Sequence, residues 1–220
     1  VIFRELELWF DPLARSGPES MAVDEWLLKT RQLPMMRIYK WGGSWGSLGY
    51  FGNLEEARQT FPGLQWVRRL TGGGVVDHRG DWTYSLMIPE KFELARMKGG
   101  ESYRAIHQVL VSVLASEGRA EPALAAANQK SGSVCFENPV EFDVVGSVGE
   151  KLAGAAQRRC KAGLLHQGSV SVSGDFTLRG KLFAERLSET WSEMEMIPDE
   201  RMIEKLVAAR YGTEEWLRRR

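Results

Sequence analysis

At 220 residues the chain is long enough to bury one sizeable α/β core, and its length does not require a second domain. Hydrophobic residues make up 43% and charged residues 26%, an ordinary globular mix that indicates neither a disordered nor a fibrous chain. Lysine plus arginine equals aspartate plus glutamate at 29 each, which argues against a coat for nucleic acid or anionic membrane, so any charge recognition must be local.

Arg4 to Phe10 alternates polar and apolar residues, and Ser16 to Glu19 then supply turn and cap residues before Met21, Ala22, Trp26 and Leu27, the pattern of strand, loop and helix. Met36–Trp41 and Ser47–Phe51 read as strands separated by a Gly42-Gly43 turn, Leu54–Gln59 as a short helix and Gln65–Leu70 as another strand. Glycines 72 to 74 interrupt the pattern, and Asp81–Ile88 is extended again. Ser102–Glu117 places Ile106, Leu110, Val113 and Leu114 on one helical face, with Gly118 as the stop. Ala120–Gly132 has a linker's composition. Phe142–Ser173 reads as a meander of strands, and Phe176–Trp191 and Glu200–Tyr211 as closing helices.

Cys135 and Cys160 are too few for a disulfide framework and fit no usual zinc spacing, so a reduced, cytoplasmic setting is expected. The N-terminus lacks the basic start and longer apolar core of a signal peptide, and no apolar stretch approaches the roughly 20 residues of a membrane span.

Two blocks can carry chemistry. In the first, Arg68-Arg69-Leu70-Thr71-Gly72-Gly73-Gly74-Val75-Val76-Asp77-His78, three glycines follow a strand. Without Cβ atoms such a loop brings backbone N–H groups against an acyl carbonyl or phosphate, or else makes a simple hairpin turn. It has neither a Walker A lysine nor dinucleotide spacing. In the second, Lys151-Leu152-Ala153-Gly154-Ala155-Ala156-Gln157-Arg158 precedes Leu165-His166-Gln167-Gly168-Ser169. A lysine among small residues can reach into a narrow site and stabilise negative charge, or sit as a solvated turn lysine over tight packing.

Together with Met21–Glu25, Arg37–Trp41, Ser47–Phe51 and Thr83–Leu86, these blocks resemble the superfamily of lipoate-protein ligase A, octanoyltransferases and biotin ligases, in the family's order over about four-fifths of the chain. The resemblance implies an α+β fold of mixed sheets flanked by helices, with residues 1–220 as one catalytic domain. It places Lys151 beside the acyl group or acyl-adenylate. The glycine loop of Gly72, Gly73 and Gly74, with Arg68, Arg69, Thr71, His78, Gly154, Ala156, His166 and Gly168, would line the substrate pocket.

Cys135, in Val134-Cys135-Phe136-Glu137-Asn138-Pro139, resembles the cysteine of octanoyltransferases that form an acyl-thioester; the bland alternative is a small buried apolar residue. The expectation is therefore an ATP-independent transferase with no cofactor. It would take octanoyl or lipoyl from acyl carrier protein and deliver it to a lysine of a lipoyl domain or a glycine-cleavage carrier, with no nucleic-acid or membrane partner. The stretch after Trp191, long enough for two short helices where ATP-using ligases commonly carry an accessory domain, points the same way. The alternatives are a ligase using ATP and Mg, of the kind that carries its accessory domain on a separate chain, and a non-catalytic binder of carrier domains.

Two departures from the family pattern stand out. His166 lies one place early on its strand, which turns it to the other face and favours a structural role. Asp77 stands where relatives often have tyrosine, and His78 either orients substrate or caps the turn. His107 is expected to be structural and Cys160 incidental, and Trp45 and Trp82 are candidates for the wall of an acyl tunnel.

Overall fold

The computed structural model describes residues 1–119, 121–126 and 139–219. Strand β1 (Phe3–Arg15) runs into helix α1 (Gly17–Thr30) through Ser16, whose side chain accepts from the Glu19 N–H while the Glu19 carboxylate accepts from the Ser16 N–H. This reciprocal cap contributes about 1 kcal/mol and fixes where the strand ends. There follow β2 (Met35–Trp41), β3 (Trp45–Leu48), α2 (Leu54–Thr60), β4 (Gln65–Arg68), β5 (Val75–Asp77), β6 (Trp82–Pro89) and the single turn α3 (Glu93–Arg96). Helix α4 (Gly99–Ser116) buries Ile106, Leu110, Val113 and Leu114 as its periodicity requires, and stops at Gly118, whose φ of 77° only glycine adopts without strain. The remaining elements are β7 (Ala123–Leu124), β8 (Val144–Val145), β9 (Lys151–Cys160), β10 (Gly163–Val170), α5 (Phe176–Leu187), β11 (Ser188–Glu193), α6 (Glu200–Leu206), a π-helical turn at Val207–Tyr211, and α7 (Glu214–Leu217).

Among the described residues these strands form a large mixed sheet in the order β11-β1-β2-β6-β10-β9-β8-β7 and a small one in the order β4-β3-β5. β1 pairs in parallel with both β11 and β2, and the remaining ladders of the large sheet are antiparallel. Helices cover both faces. One face carries Met36, Ile38, Tyr84, Leu86 and Leu164 against α4 and α5, and the other carries Trp9, Met35, Met87 and Leu165 against α1 and Ile203 of α6. Burial on both faces explains why Leu6 to Trp9 are all buried although the sequence alternates there.

Three expectations change. Phe176–Trp191 is not one helix: the chain leaves the helix at Ser188 and enters β11, pairing Phe3 with Ser188 and Leu6 with Trp191. Its partner lies at the opposite end of the sequence, so local periodicity holds no trace of it. The strand expected at Ser47–Phe51 is instead Trp45–Leu48. The Gly49–Gly52 segment turns because Arg68 draws in the carbonyls of Gly49, Tyr50 and Gly52 at 2.9 to 3.1 Å. Within the expected linker, Ala123–Leu124 pairs with β8, while residues 120 and 127–132 lie outside the described residues. Among the described residues no helix is long and apolar enough to cross a membrane.

Candidate active site

Strand parity decides which side chains meet. On the α1 face of the large sheet, Tyr39, Thr83 and Ser169 are aligned across β2, β6 and β10, with Gly154 of β9 next in the row. Three strand spacings of about 4.8 Å make that row roughly 14 Å long. The small sheet lies over it, contributing Ser47, Val76 and His78, and the glycine loop adds Gly73. Between them is a pocket with about 490 Å³ of empty space counted out to open solvent, also lined by Met21, Trp41, Arg69, Lys151, Ala155, Ala156, Gln167 and Gly168. An open groove bordered by Tyr103, Phe142 and Arg159 shares Gly73, Ala155 and Ala156 with this pocket and continues it towards solvent.

Lys151 brings a covered ammonium to the pocket, which the buried Arg69 also lines. The Lys151 Nζ lies 2.7 Å from Asp143 Oδ2, with both side chains almost fully covered. The Tyr103 hydroxyl donates to Asp143 Oδ1 at 2.5 Å and the Val140 N–H to Oδ2 at 2.8 Å, so the carboxylate is held from several sides. Burial, reinforced by the Asp143 charge, pushes the Tyr103 hydroxyl well above its usual range and keeps it a donor.

Gly154 makes room for Lys151, because a Cβ there would lie 2.5 Å from Lys151 Cε and 2.6 Å from Nζ. Those atoms end a flexible side chain, so the ammonium can shift while keeping Asp143 as its partner, and the fold absorbs the intrusion although the charge leaves its place at the pocket. Gly154→Ala is therefore expected to lower turnover tenfold or more while moving the melting temperature by only a few degrees. Unchanged kcat in that variant would show that the ammonium position does not matter.

Arg69 shapes the glycine loop: Nη2 donates to the carbonyls of Gly72 and Gly74 at 2.9 and 3.0 Å, and Nη1 to Ser47 Oγ at 2.6 Å. Gly73 takes φ = 81°, and Gly49 lets the loop settle on it, since a Cβ at Gly49 would sit 2.0 Å from the Gly73 oxygen. Thr71 Oγ1 donates to Gln167 Oε1 at 2.7 Å, and Gln167 Nε2 donates to Asp24 Oδ2 at 2.8 Å. Asp24 also accepts from Ser85 and from the fully buried Arg37, whose second partner is Asp11. The loop is thus anchored to a buried ionic cluster at the strand centre.

The structure brings Arg69, Gly73, His78, Lys151, Gly154, Ala156 and Gly168 to one pocket, with Thr71 and the carbonyls of Gly72 and Gly74 directly behind it. It leaves out Arg68 and His166. The Arg68 guanidinium faces away and gathers carbonyls, including those of Trp216 and Leu217. His166 lies on the α4 face, bonded to Tyr84 and Gln157 and edge-on to His107. Burial depresses His107 to about 4 and His166 well below its usual value, so both imidazoles are neutral at pH 7. Gln167 occupies the pocket-facing position beside His166, as the period of two requires. Trp45 and Trp82 pack in the two cores, and Trp41 with Tyr39 takes the wall position instead. Cys135 lies outside the described residues; Cys160 is exposed.

Sequence reasoning missed Ser47, Asp81, Gln167, Tyr103 and Asp143. A buried acid in an apolar stretch, as at Asp24 and Asp143, was a readable sign of a charge partner, and the parity that turns His166 away pointed to Gln167; Ser47, Asp81 and Tyr103 carry no local signal.

Known proteins resemble this chain in sequence and in fold. The pattern described as the lipoyl protein ligase A/B catalytic domain matches residues 16–204. The octanoyltransferase LipM of Brevibacillus brevis is 32% identical over 183 residues, covering 75% of this chain and 65% of its own length. That of Oceanobacillus iheyensis is 31% identical over 190 residues, covering 82% and 69%. The chain thus spans about two thirds of the length of these curated relatives. Among solved structures, the putative lipoate protein ligase Ta0514 of T. acidophilum with bound lipoic acid superposes with a TM-score of 0.76 at 21% identity over 99% of both chains. Lipoate-protein ligase A bound with ATP does so with 0.74 at 20%, also over 99% of both.

Proposed function

Since this chain belongs to the lipoyl protein ligase A/B catalytic domain family, we propose that its 220 residues form one catalytic domain that transfers an octanoyl or lipoyl group from acyl carrier protein to a lysine of a lipoyl carrier domain. The observation that carries this reading is the buried Lys151 ammonium beside Gly154, at a pocket whose other wall is the glycine loop. The LipM octanoyltransferases among the relatives favour transfer over ATP-driven ligation.

The Cys135 thiolate attacks the carrier thioester, the carbonyl oxygen becomes an oxyanion beside Lys151, and as it collapses the carbon–sulfur bond to the carrier breaks and the carrier leaves as a thiolate that takes a proton from solvent. The acceptor amine then attacks the Cys135 acyl-thioester, loses a proton, and releases Cys135. No nucleotide enters. Charge at the carbonyl oxygen is met by a cation whose side chain is almost fully covered, where it stabilises more than it would in bulk solvent.

Intact-mass spectrometry after incubation with octanoyl carrier protein and no ATP tests the scheme. Wild type is expected to gain one octanoyl group removable by hydroxylamine. Cys135→Ser should accumulate no thioester and lose most transfer, because a serine hydroxyl is far less ionised near neutral pH. Cys160→Ser should match wild type. Full ATP-independent transfer by Cys135→Ser would sink the thioester route. A requirement for free acid, ATP and Mg, with an acyl-adenylate formed, would make the chain a ligase, and association with carrier domains without transfer from any donor a binding module.

A further inference from the structure

Ser47, His78 and Asp81 are not used by that scheme, yet Ser47 and His78 face the same pocket. Ser47 Oγ lies 2.7 Å from His78 Nε2, and His78 Nδ1 lies 2.8 Å from Asp81 Oδ2. All three side chains are buried. β3 and β5 set the first contact by pairing Ser47 with Val76, two residues before His78.

Proton bookkeeping fixes the polarity of the chain. Arg69 Nη1 donates to Ser47 Oγ at 2.6 Å, and an arginine cannot accept in return, so the serine proton is left for His78 Nε2. In a neutral imidazole the other nitrogen then carries its hydrogen towards the Asp81 carboxylate. Asp81 is held by Ser169 and by Thr83, whose hydroxyl donates to Oδ1 at 3.0 Å. The imidazole is also stacked on Trp41, with ring centroids 4.0 Å apart and planes 18° apart, and Trp41 Nε1 bonds to Thr83. Nucleophile, base and orienting acid therefore occur in order, with the guanidinium of Arg69 bonded to the serine oxygen.

We propose that Ser47, His78 and Asp81 form a second acyl-accepting centre that hydrolyses medium-chain acyl esters and thioesters. It shares with the preceding reading only a pocket that admits an acyl chain, and it does not require Cys135. Ser47 Oγ bonds to the acyl carbon as its proton passes to His78 Nε2, and the carbon–oxygen or carbon–sulfur bond to the leaving group breaks. His78 returns that proton to the departing group or to solvent. Water, deprotonated by His78, then attacks the acyl-serine, the acid leaves, and Ser47 regains its proton.

The test uses the full chain with p-nitrophenyl octanoate as substrate and an alkyl fluorophosphonate as label, read by intact mass and peptide mapping. A single adduct on the peptide containing Ser47 is expected. Ester hydrolysis should fall by about 10²-fold or more in Ser47→Ala and His78→Asn, and less in Asp81→Asn. Ser47→Cys, which nearly preserves size, guards against a folding artefact: its thiol should be alkylated faster by iodoacetamide at pH 7 with His78 present than in the variant that also carries His78→Asn. Labelling confined to Cys135, no labelling at all, or undiminished hydrolysis by Ser47→Ala overturns the proposal. Transfer from octanoyl carrier protein, run on the same samples, separates the two readings. Transfer without ester hydrolysis removes only the serine centre, and hydrolysis at Ser47 without transfer removes only the transferase.

Discussion

Lys151→Ala is expected to slow acyl transfer by about 10² to 10³, the usual cost of losing one donor to a developing oxyanion. The variant also leaves the Asp143 carboxylate buried without its cation, so part of any loss could come from a weakened fold. Two controls separate these effects. Lys151→Met removes charge while keeping a long side chain and should lose rate as Lys151→Ala does. Lys151→Arg keeps a cation for Asp143 and should recover stability but only part of the rate, because a planar guanidinium cannot occupy the slot that Gly154 leaves for a compact ammonium. Single-turnover rates beside urea midpoints make the comparison. Near-native turnover in Lys151→Met would reduce Lys151 to a structural partner of Asp143.

Arg37→Leu is expected to cost about 3 to 5 kcal/mol of folding stability, because two buried carboxylates lose their shared cation. Arg37 is fully buried and pairs with Asp11 and Asp24 at 2.7 Å each, with Arg15 adding a second, longer contact to Asp11 at 3.2 Å. Its guanidinium also lies over the Tyr39 ring, 4.0 Å from the centroid, so packing is lost with charge. The glycine loop hangs from this cluster through Asp24, Gln167 and Thr71, so the pocket should loosen along with the core. Chemical denaturation measures the loss directly. A change below about 1 kcal/mol would mean that the carboxylates are neutralised in some other way.

What local chemistry encodes was readable in advance. The Ser16 and Glu19 cap, the apolar face of α4 with its Gly118 stop, and the alternation of β10 depend on neighbours a few residues away. The parity of β10 alone placed His166 opposite the residue beside it. The two motif blocks identified the family because their residue types and order are jointly rare.

Contacts between distant segments were not readable. β11 exists because β1, nearly the whole chain away, offers it an edge, and no propensity in Ser188–Glu193 announces that. Two adjacent arginines diverge, Arg68 collecting carbonyls at the C-terminal turn and Arg69 bracing the glycine loop, because a strand sends neighbours to opposite sides and only the packed sheets say which side holds the pocket. The Ser47, His78 and Asp81 alignment arises where a small sheet lies over a large one. Composition, charge balance, caps and motif order thus belong to the sequence, because short-range forces determine them. The pocket's membership and the pairing of Lys151 with Asp143 belong to the tertiary structure, because burial forces each charge to find a partner wherever the fold brings one.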